Sequence, residues 1–404
     1  MSESRTAKIG FFALVSLGLK TIIGSSIFRV PAELARDLGP FSVFIYFVGA
    51  LVLLPVALSF AEATSMFGES GGSYVHARAA FGERAGNAVG FSMWAATVLT
   101  LATSAVAMAE MIGAMVPPAA GATRFVAAGV VCLFWIANIR SESGGWVSAL
   151  FLVAKVAPLL LLGAVGLLSS THPVAAPIAS GSVGASLLVV FYSLSGFESC
   201  AIPSGDSASA TKRVPLAVGL AIGLTTLLYA AIQLAVVHVP GASESKEPLA
   251  SVAAFHFGPV AGRAVSVLAL VSMGGLAAAM IYNAPLLLLP GRLQRPRALL
   301  LSALATLVLT STLNFRNLVD FTSVTLGVQY IATCASVARL RKTMPLRERP
   351  VRLPLGATIP LLGILTTLWV VAHANLREIA LGAAVLIVSQ LIPNAAPPRL
   401  TPTP

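Results

Sequence analysis

Long apolar runs, separated by short polar connections, fill almost the whole chain. Runs of about 17 to 25 residues match the helix length that crosses a bilayer's hydrocarbon core. About twelve occur, near 9–35, 40–66, 86–115, 124–140, 146–169, 183–204, 214–238, 259–289, 298–314, 317–338, 355–373 and 377–393. The pattern predicts an all-α integral membrane protein with about 12 transmembrane helices. The first, third and eighth runs are longer than the bilayer requires, which predicts tilt or a break. None of the connections is long enough for a soluble domain. The stretch 67–85, "FGESGGSYVHARAAFGERA", has a Gly-Gly turn and a mixed segment that predict a short interfacial helix. The tail at 394–404 predicts disorder.

Composition supports this pattern: of 404 residues, 57% are hydrophobic and 10% charged, and the mean hydropathy is +0.89. A soluble core of that composition could not cover itself with polar surface. The net charge of +11 would ordinarily point to nucleic acid, but its placement excludes that partner. Lys and Arg gather in short connections such as "RLRKTMPLRERPVR" at 339–352. With alternating spans, about 17 of them share the side of residues 1–8 and 6 face the other side. That bias predicts both termini in the cytoplasm of a cell inner membrane. Cys132, Cys200 and Cys334 show no paired spacing, so neither a disulfide framework nor a metal site is expected. "MSESRTAKIGFF" runs into the first span without a cleavage pattern, and no removed signal peptide is expected.

Two spans carry helix-weakening residues at mid-depth: Gly24-Ser25-Ser26 in the first, and "FYSLSGFES" at 191–199 in the sixth. Unsatisfied backbone groups in hydrocarbon cost several kcal/mol each, so a broken helix persists only where protein, water or a ligand takes up the freed hydrogen bonds. Small residues also serve simply to pack helices closely. Here the two candidates stand five spans apart, and the second precedes an intramembrane acid, Glu198. Discontinuous helices in that relation meet at the bilayer midplane in transporters built from two inverted repeats. Freed N–H groups suit a carboxylate and freed carbonyls suit an ammonium, so the ligand described is a zwitterionic amino acid.

The stretch from "GLKTIIGSSIFRVPAEL" to "GESGGSYVHARAAFG" resembles the opening of the amino acid–polyamine–organocation transporters, whose first broken helix reads G-S-G-I-F. "FYSLSGFESCAIPSGDSASATKRVPLA" is similar to the family's sixth span and "LVDFTSVTLGVQYIATCASVARLRK" to its tenth. The resemblance implies the leucine-transporter-like fold: a five-plus-five inverted repeat, with repeats at 9–169 and 183–338, and two extra C-terminal helices at 355–393. It implies that the ligand carboxylate meets the backbone around Gly24, Ser25 and Ser26. The ammonium would meet carbonyls of Ile22, Tyr192 and Ser195, beside Gly196, and Tyr192 and Phe197 would shape the pocket and gate it. Ser26 stands where the family has its second glycine, Arg29 occupies a usually apolar position, and the family's longer loop after span eight is missing.

A lysine near mid-span is costly and treated as functional by default. Lys155, in "LVAKVAPLLLLGAVG", either snorkels to the interface or, as the resemblance to proton-coupled members implies, carries a proton. Glu198 is the second candidate for proton coupling, with a structural acid as the alternative. Glu62 and Glu110 read as links between helices. The expected function is secondary active transport of an amino acid by alternating access, through proton symport of a neutral substrate or through exchange. A non-transporting amino acid receptor on the same fold is the alternative from another class. The partners expected are the amino acid, a proton and membrane lipid, with no cofactor. An enzyme would need paired acids, a metal cluster or a nucleophile–base pair, none of which the spacing offers.

Overall fold

A computed structural model describes residues 11–67, 71–138, 145–168, 181–198, 208–287 and 295–391. Among these the regular structure is entirely helical. The helices are α1 (Phe11–Ile22), α2 (Val30–Leu38), α3 (Ser42–Ser65), α4 (Ser73–Phe81), α5 (Glu83–Met115), α6 (Thr123–Asn138), α7 (Gly145–Leu168) and α8 (Val183–Ser193). They continue with α9 (Ala208–His238), α10 (Pro248–Phe257), α11 (Pro259–Leu287), α12 (Arg295–Thr312), α13 (Phe315–Thr343), α14 (Thr358–Val371) and α15 (Leu376–Leu391).

Every expected window holds helix, and the departures have local causes. The first window is split: α1 stops at Ile22, a short 3-10 turn covers Ser26–Phe28, and α2 starts afresh. Pro31 falls in the first turn of α2, where its missing N–H costs no helical bond. Gly39, at φ 56°, ends that helix in a conformation few other residues adopt. The third and eighth windows were also long enough for a break, yet α5 and α11 are continuous. At 33 residues α5 runs about 50 Å, so its surplus length projects beyond a bilayer or tilts within it. The expected interfacial helix is α4, whereas α10 was not foreseen: ten residues are too few to signal a span, and Gly258 at φ 86° separates it from α11. The end of the sixth window, Cys200, residues 1–8 and the tail at 394–404 lie outside the described residues.

Exposure runs opposite to that of a water-soluble protein. Phe44, Phe47, Leu51 and Leu54 of α3 and Leu160 and Leu161 of α7 face outward, while Ser59, Glu62, Thr103, Ser104, Gln233 and Tyr330 are buried. Five helical stretches are long and apolar enough to cross a membrane by length and composition, and six shorter apolar helices accompany them. With lipid as the outer solvent this is the favourable arrangement, and the chain is a multi-pass membrane protein. At the centre α5 packs on α11, α13, α4 and α6, while α9 packs on α3, α7 and α1. Glu62, fully buried, accepts from Arg341 Nε at 2.7 Å and from the Leu353 N–H at 3.0 Å, and so ties α3 to α13 and to the connection before α14. Cys334 is buried, while Cys132 faces outward rather than into the core.

Candidate functional site

The break after α1 touches the turn that ends α8 at Ser193. The Thr21 hydroxyl donates to the Gly196 carbonyl at 2.8 Å, and the Ser25 hydroxyl lies 3.4 Å from the Tyr192 hydroxyl. Gly196 has φ 105°, and a Cβ there would stand 2.7 Å from the Thr21 carbonyl carbon. Both the backbone conformation and the closeness of the first helix therefore require glycine.

At the first break, the Ser25 and Ser26 N–H groups have no backbone partner among the described residues. Ser104, on α5, donates to Ser25 Oγ at 3.1 Å. Tyr229, on α9, donates to the Ile22 carbonyl at 3.1 Å and lies beside the Ser26 hydroxyl and the Gly24 N–H. Its ring packs edge-on against Tyr46 with centroids 5.5 Å apart. The Ile22 carbonyl, expected to be open to an ammonium, is thus already occupied by a phenol.

At the second break, where the Tyr192 and Ser195 carbonyls were expected to meet the ammonium, the Tyr192 carbonyl likewise has partners already. Tyr192 O accepts from the Ser195 hydroxyl at 2.7 Å and from the Ser195 N–H at 3.2 Å, because the chain closes a tight turn at its helix end. Glu198 folds back on its own turn and accepts the Gly196 N–H at 2.9 Å, and Tyr330 of α13 donates to the same oxygen at 3.1 Å. Phe197 is fully buried in an aromatic cluster, with ring centroids 5.7 Å from Phe60 and 5.4 Å from Tyr330. His76 of α4 packs edge-on against Phe60 with ring centroids 6.3 Å apart, and burial holds its imidazole down to about 3.

Ser25 and Ser26 are 1% and 2% exposed, so the crossing is closed to solvent in this conformation. Lys155 is buried on α7 within Coulombic reach of Lys20 on α1. Among the described residues no hydrogen bond or ion pair joins it to Glu198. Arg29, at an unusual position by sequence, pairs with Glu110 at 3.1 Å. Ser104, Tyr229 and Tyr330 were missed from the sequence. The signal available for the tyrosines was their place within apolar runs, since a buried phenol must find a partner. Ser104, in a run of small residues, gave no such signal. No group of three or more His, Cys, Asp or Glu side chains able to hold a metal occurs among the described residues.

A family model described as amino acid permease matches residues 9–289. The serine/threonine exchanger SteT of Bacillus subtilis is 23% identical over 293 residues, covering 69% of this chain and 66% of the exchanger. An uncharacterized transporter of Mycobacterium bovis is 27% identical over 405 residues, covering 94% of this chain and 89% of its own. The putrescine transporter PotE of Escherichia coli is 26% identical over 296 residues, 68% of this chain and 65% of its own. The chain therefore spans just under two thirds of the exchanger and of the putrescine transporter. In fold, it is similar to the crystal structure of the Eremococcus coleocola manganese transporter in complex with an aromatic bis-isothiourea substituted compound. The TM-score is 0.63 at 13% identity, covering 97% of this chain and 94% of that one. With the break after α1 meeting the end of α8 inside an apolar bundle and the family model spanning well over half of its length, the chain belongs to the amino acid permease family.

Proposed function

We propose that the protein is a secondary active transporter of a small neutral amino acid, working by alternating access around the crossing of the two breaks. The observation that carries this reading is the contact of Thr21 and Ser25 with Gly196 and Tyr192, which brings the break after α1 against the end of α8 in a buried place. The unpartnered N–H groups at Ser25 and Ser26, with α2 leading away from them, suit a carboxylate. An ammonium displaces the Tyr229 hydroxyl from the Ile22 carbonyl, or shares that carbonyl with it. Gly24, Ser195, Gly196 and Phe197 complete the pocket, with Phe197 and its aromatic neighbours closing it from one side.

The architecture proposed with this function has twelve membrane crossings, two inverted repeats of five and two further helices, with both termini in the cytoplasm of an inner membrane. Lys155, an amine buried within the membrane span α7, carries the coupling proton. Glu198 passes conformation between the second break and α13 through Tyr330. Exchange is the second reading, favoured by the likeness to a serine/threonine exchanger.

Uptake into proteoliposomes under an imposed pH gradient, with a panel of labelled amino acids, tests the proposal. Saturable, gradient-driven uptake lost in Lys155→Ala is the expected result. Uptake that occurs only against an internal amino acid supports exchange, binding without flux supports a receptor, and a sodium requirement removes the role given to Lys155.

A further inference from the structure

Helix α2, the outer half of the first broken helix, carries together with its N-cap Arg29 a charged ladder on a largely buried face. Arg29, Glu33 and Asp37 recur every four residues and so line one side. Each rung is gripped by another helix. Arg29 Nε donates to Glu110 Oε2 of α5 at 3.1 Å, and its guanidinium stands 5.7 Å from the centroid of the Phe315 ring at the start of α13. The next residue of α13, Arg316, reaches Glu33 at 3.5 Å and Asp37 at 3.2 Å through Nη1. Its Nη2 donates to the Ala185 carbonyl of α8 at 3.1 Å, and its Nε lies 3.3 Å from Asp320 Oδ1. One guanidinium on α13 thus holds both α2 and α8. The chain just before α8 also meets α2 directly: the Gly181 N–H donates to the Asp37 carbonyl at 2.7 Å, and a Cβ on Gly181 would come within 2.6 Å of Asp37 Cβ.

The ladder lies outward of the proposed site along the same pair of elements. Ser104, which meets Ser25, and Glu110, which meets Arg29, are six residues apart on α5, about 9 Å along the helix. Glu33 and Asp320 are 6% and 5% exposed. Buried ion pairs add little net stability compared with well-packed apolar residues, whereas breaking one is costly, and that is the behaviour of a switch rather than of a girder.

We propose that this ladder is the outer latch of the transport cycle: Arg316 and the Arg29–Glu110 pair hold α2 and α8 against α13 and α5, and their release opens the crossing to the outside. The proposal rests on the transport reading, and thiol labelling tests it without requiring transport. Ala107 is 1% exposed and lies between Ser104 and Glu110 on α5. In a chain with all three cysteines replaced by serine, Ala107→Cys reports entry of a membrane-impermeant maleimide added outside sealed vesicles. Labelling is expected to be slow with the latch intact, about 10-fold faster or more in Arg316→Gln, intermediate in Arg316→Lys and about 3-fold faster in Asp37→Asn. Unchanged labelling in variants that melt like the parent overturns the latch. If Arg316→Gln does not fold, Asp37→Asn decides alone, because its side chain is 28% exposed and its loss leaves Arg316 with Glu33 and Asp320: faster labelling supports the latch and an unchanged rate overturns it. Amino acid uptake is measured in the same vesicles with Ala107 restored. Faster labelling without uptake by the parent overturns transport and keeps the latch as the gate of a binding protein. Uptake with unchanged labelling keeps transport and overturns the latch.

Discussion

The two breaks solve the same problem in different ways. At Gly24-Ser25-Ser26 the freed groups are met from outside the segment, by Ser104 of α5 and Tyr229 of α9, while two N–H groups keep no backbone partner. At Leu194–Gly196 the chain satisfies itself: Ser195 bonds Tyr192 O, and Glu198 takes the Gly196 N–H. A ligand entering the first break displaces hydroxyls and fills vacant donors, whereas one entering the second must compete with a carboxylate already bonded twice. Under the proposed function the first break is the main place of substrate recognition, and the second, tied to α13 through Tyr330, is the place where occupancy becomes movement.

That division predicts different failures at the two sites. The largest effect belongs to Gly196→Ala. Its left-handed φ and the Thr21 carbonyl carbon 2.7 Å from a Cβ predict a loss of about 3 kcal/mol or more in stability and near-complete loss of uptake, read by thermal melting in detergent and by proteoliposome flux. Next is Glu198→Gln, which puts an amide where the Gly196 N–H and Tyr330 hydroxyl now converge on a carboxylate oxygen. The maximal uptake rate should fall by roughly 30- to 100-fold, the equivalent of about 2 to 3 kcal/mol for charge-assisted bonds, with the half-saturating substrate concentration nearly unchanged. A change in that concentration with the rate intact would reverse the roles given to the two breaks.

His76 reports on the packing beneath the second break. Buried against Phe60, it stays neutral in the folded protein down to about pH 3, while the unfolded chain takes up a proton below the ordinary 6.5. Its contribution is fully present above pH 6.5 and is lost progressively as pH falls from there toward 3. Between pH 7.5 and 5.5 the protein should lose about 1.4 kcal/mol through this group, and His76→Phe should flatten the dependence of melting temperature on pH over that interval. The smallest effect is Ser104→Ala, which removes one hydroxyl from the first break. It should raise the half-saturating concentration about 5-fold, from about 1 kcal/mol of binding, and leave the maximal rate alone.

What the sequence revealed and what it concealed divide along the same line. The breaks were legible because Gly24, Ser25, Ser26, Ser195 and Gly196 interrupt runs that are otherwise apolar, and a local composition change is visible along one chain. Their partners were not, because Ser104, Tyr229 and Tyr330 reach them from helices 79 to 207 residues away. Arg29 looked anomalous for the same reason: Glu110, 81 residues on, supplies its charge partner. The Ile22 and Tyr192 carbonyls, expected to meet the ammonium, already have protein partners in this conformation, because a closed crossing must satisfy its own backbone before any ligand arrives. Helix α10 escaped notice because a short, mostly apolar stretch before the next span looks like that span's edge.

The central claim is that backbone groups at the first break, the Ser25 and Ser26 N–H groups and the Ile22 carbonyl, recognise both charged ends of an amino acid. The most direct measurement is competition against uptake of the best-transported labelled amino acid by its methyl ester and by its N-acetyl derivative. Each derivative has lost one charge and kept the side chain. The account predicts that both compete at least about 100-fold more weakly than the parent amino acid, since each forfeits charge-assisted bonds. Equal competition by either one would contradict it.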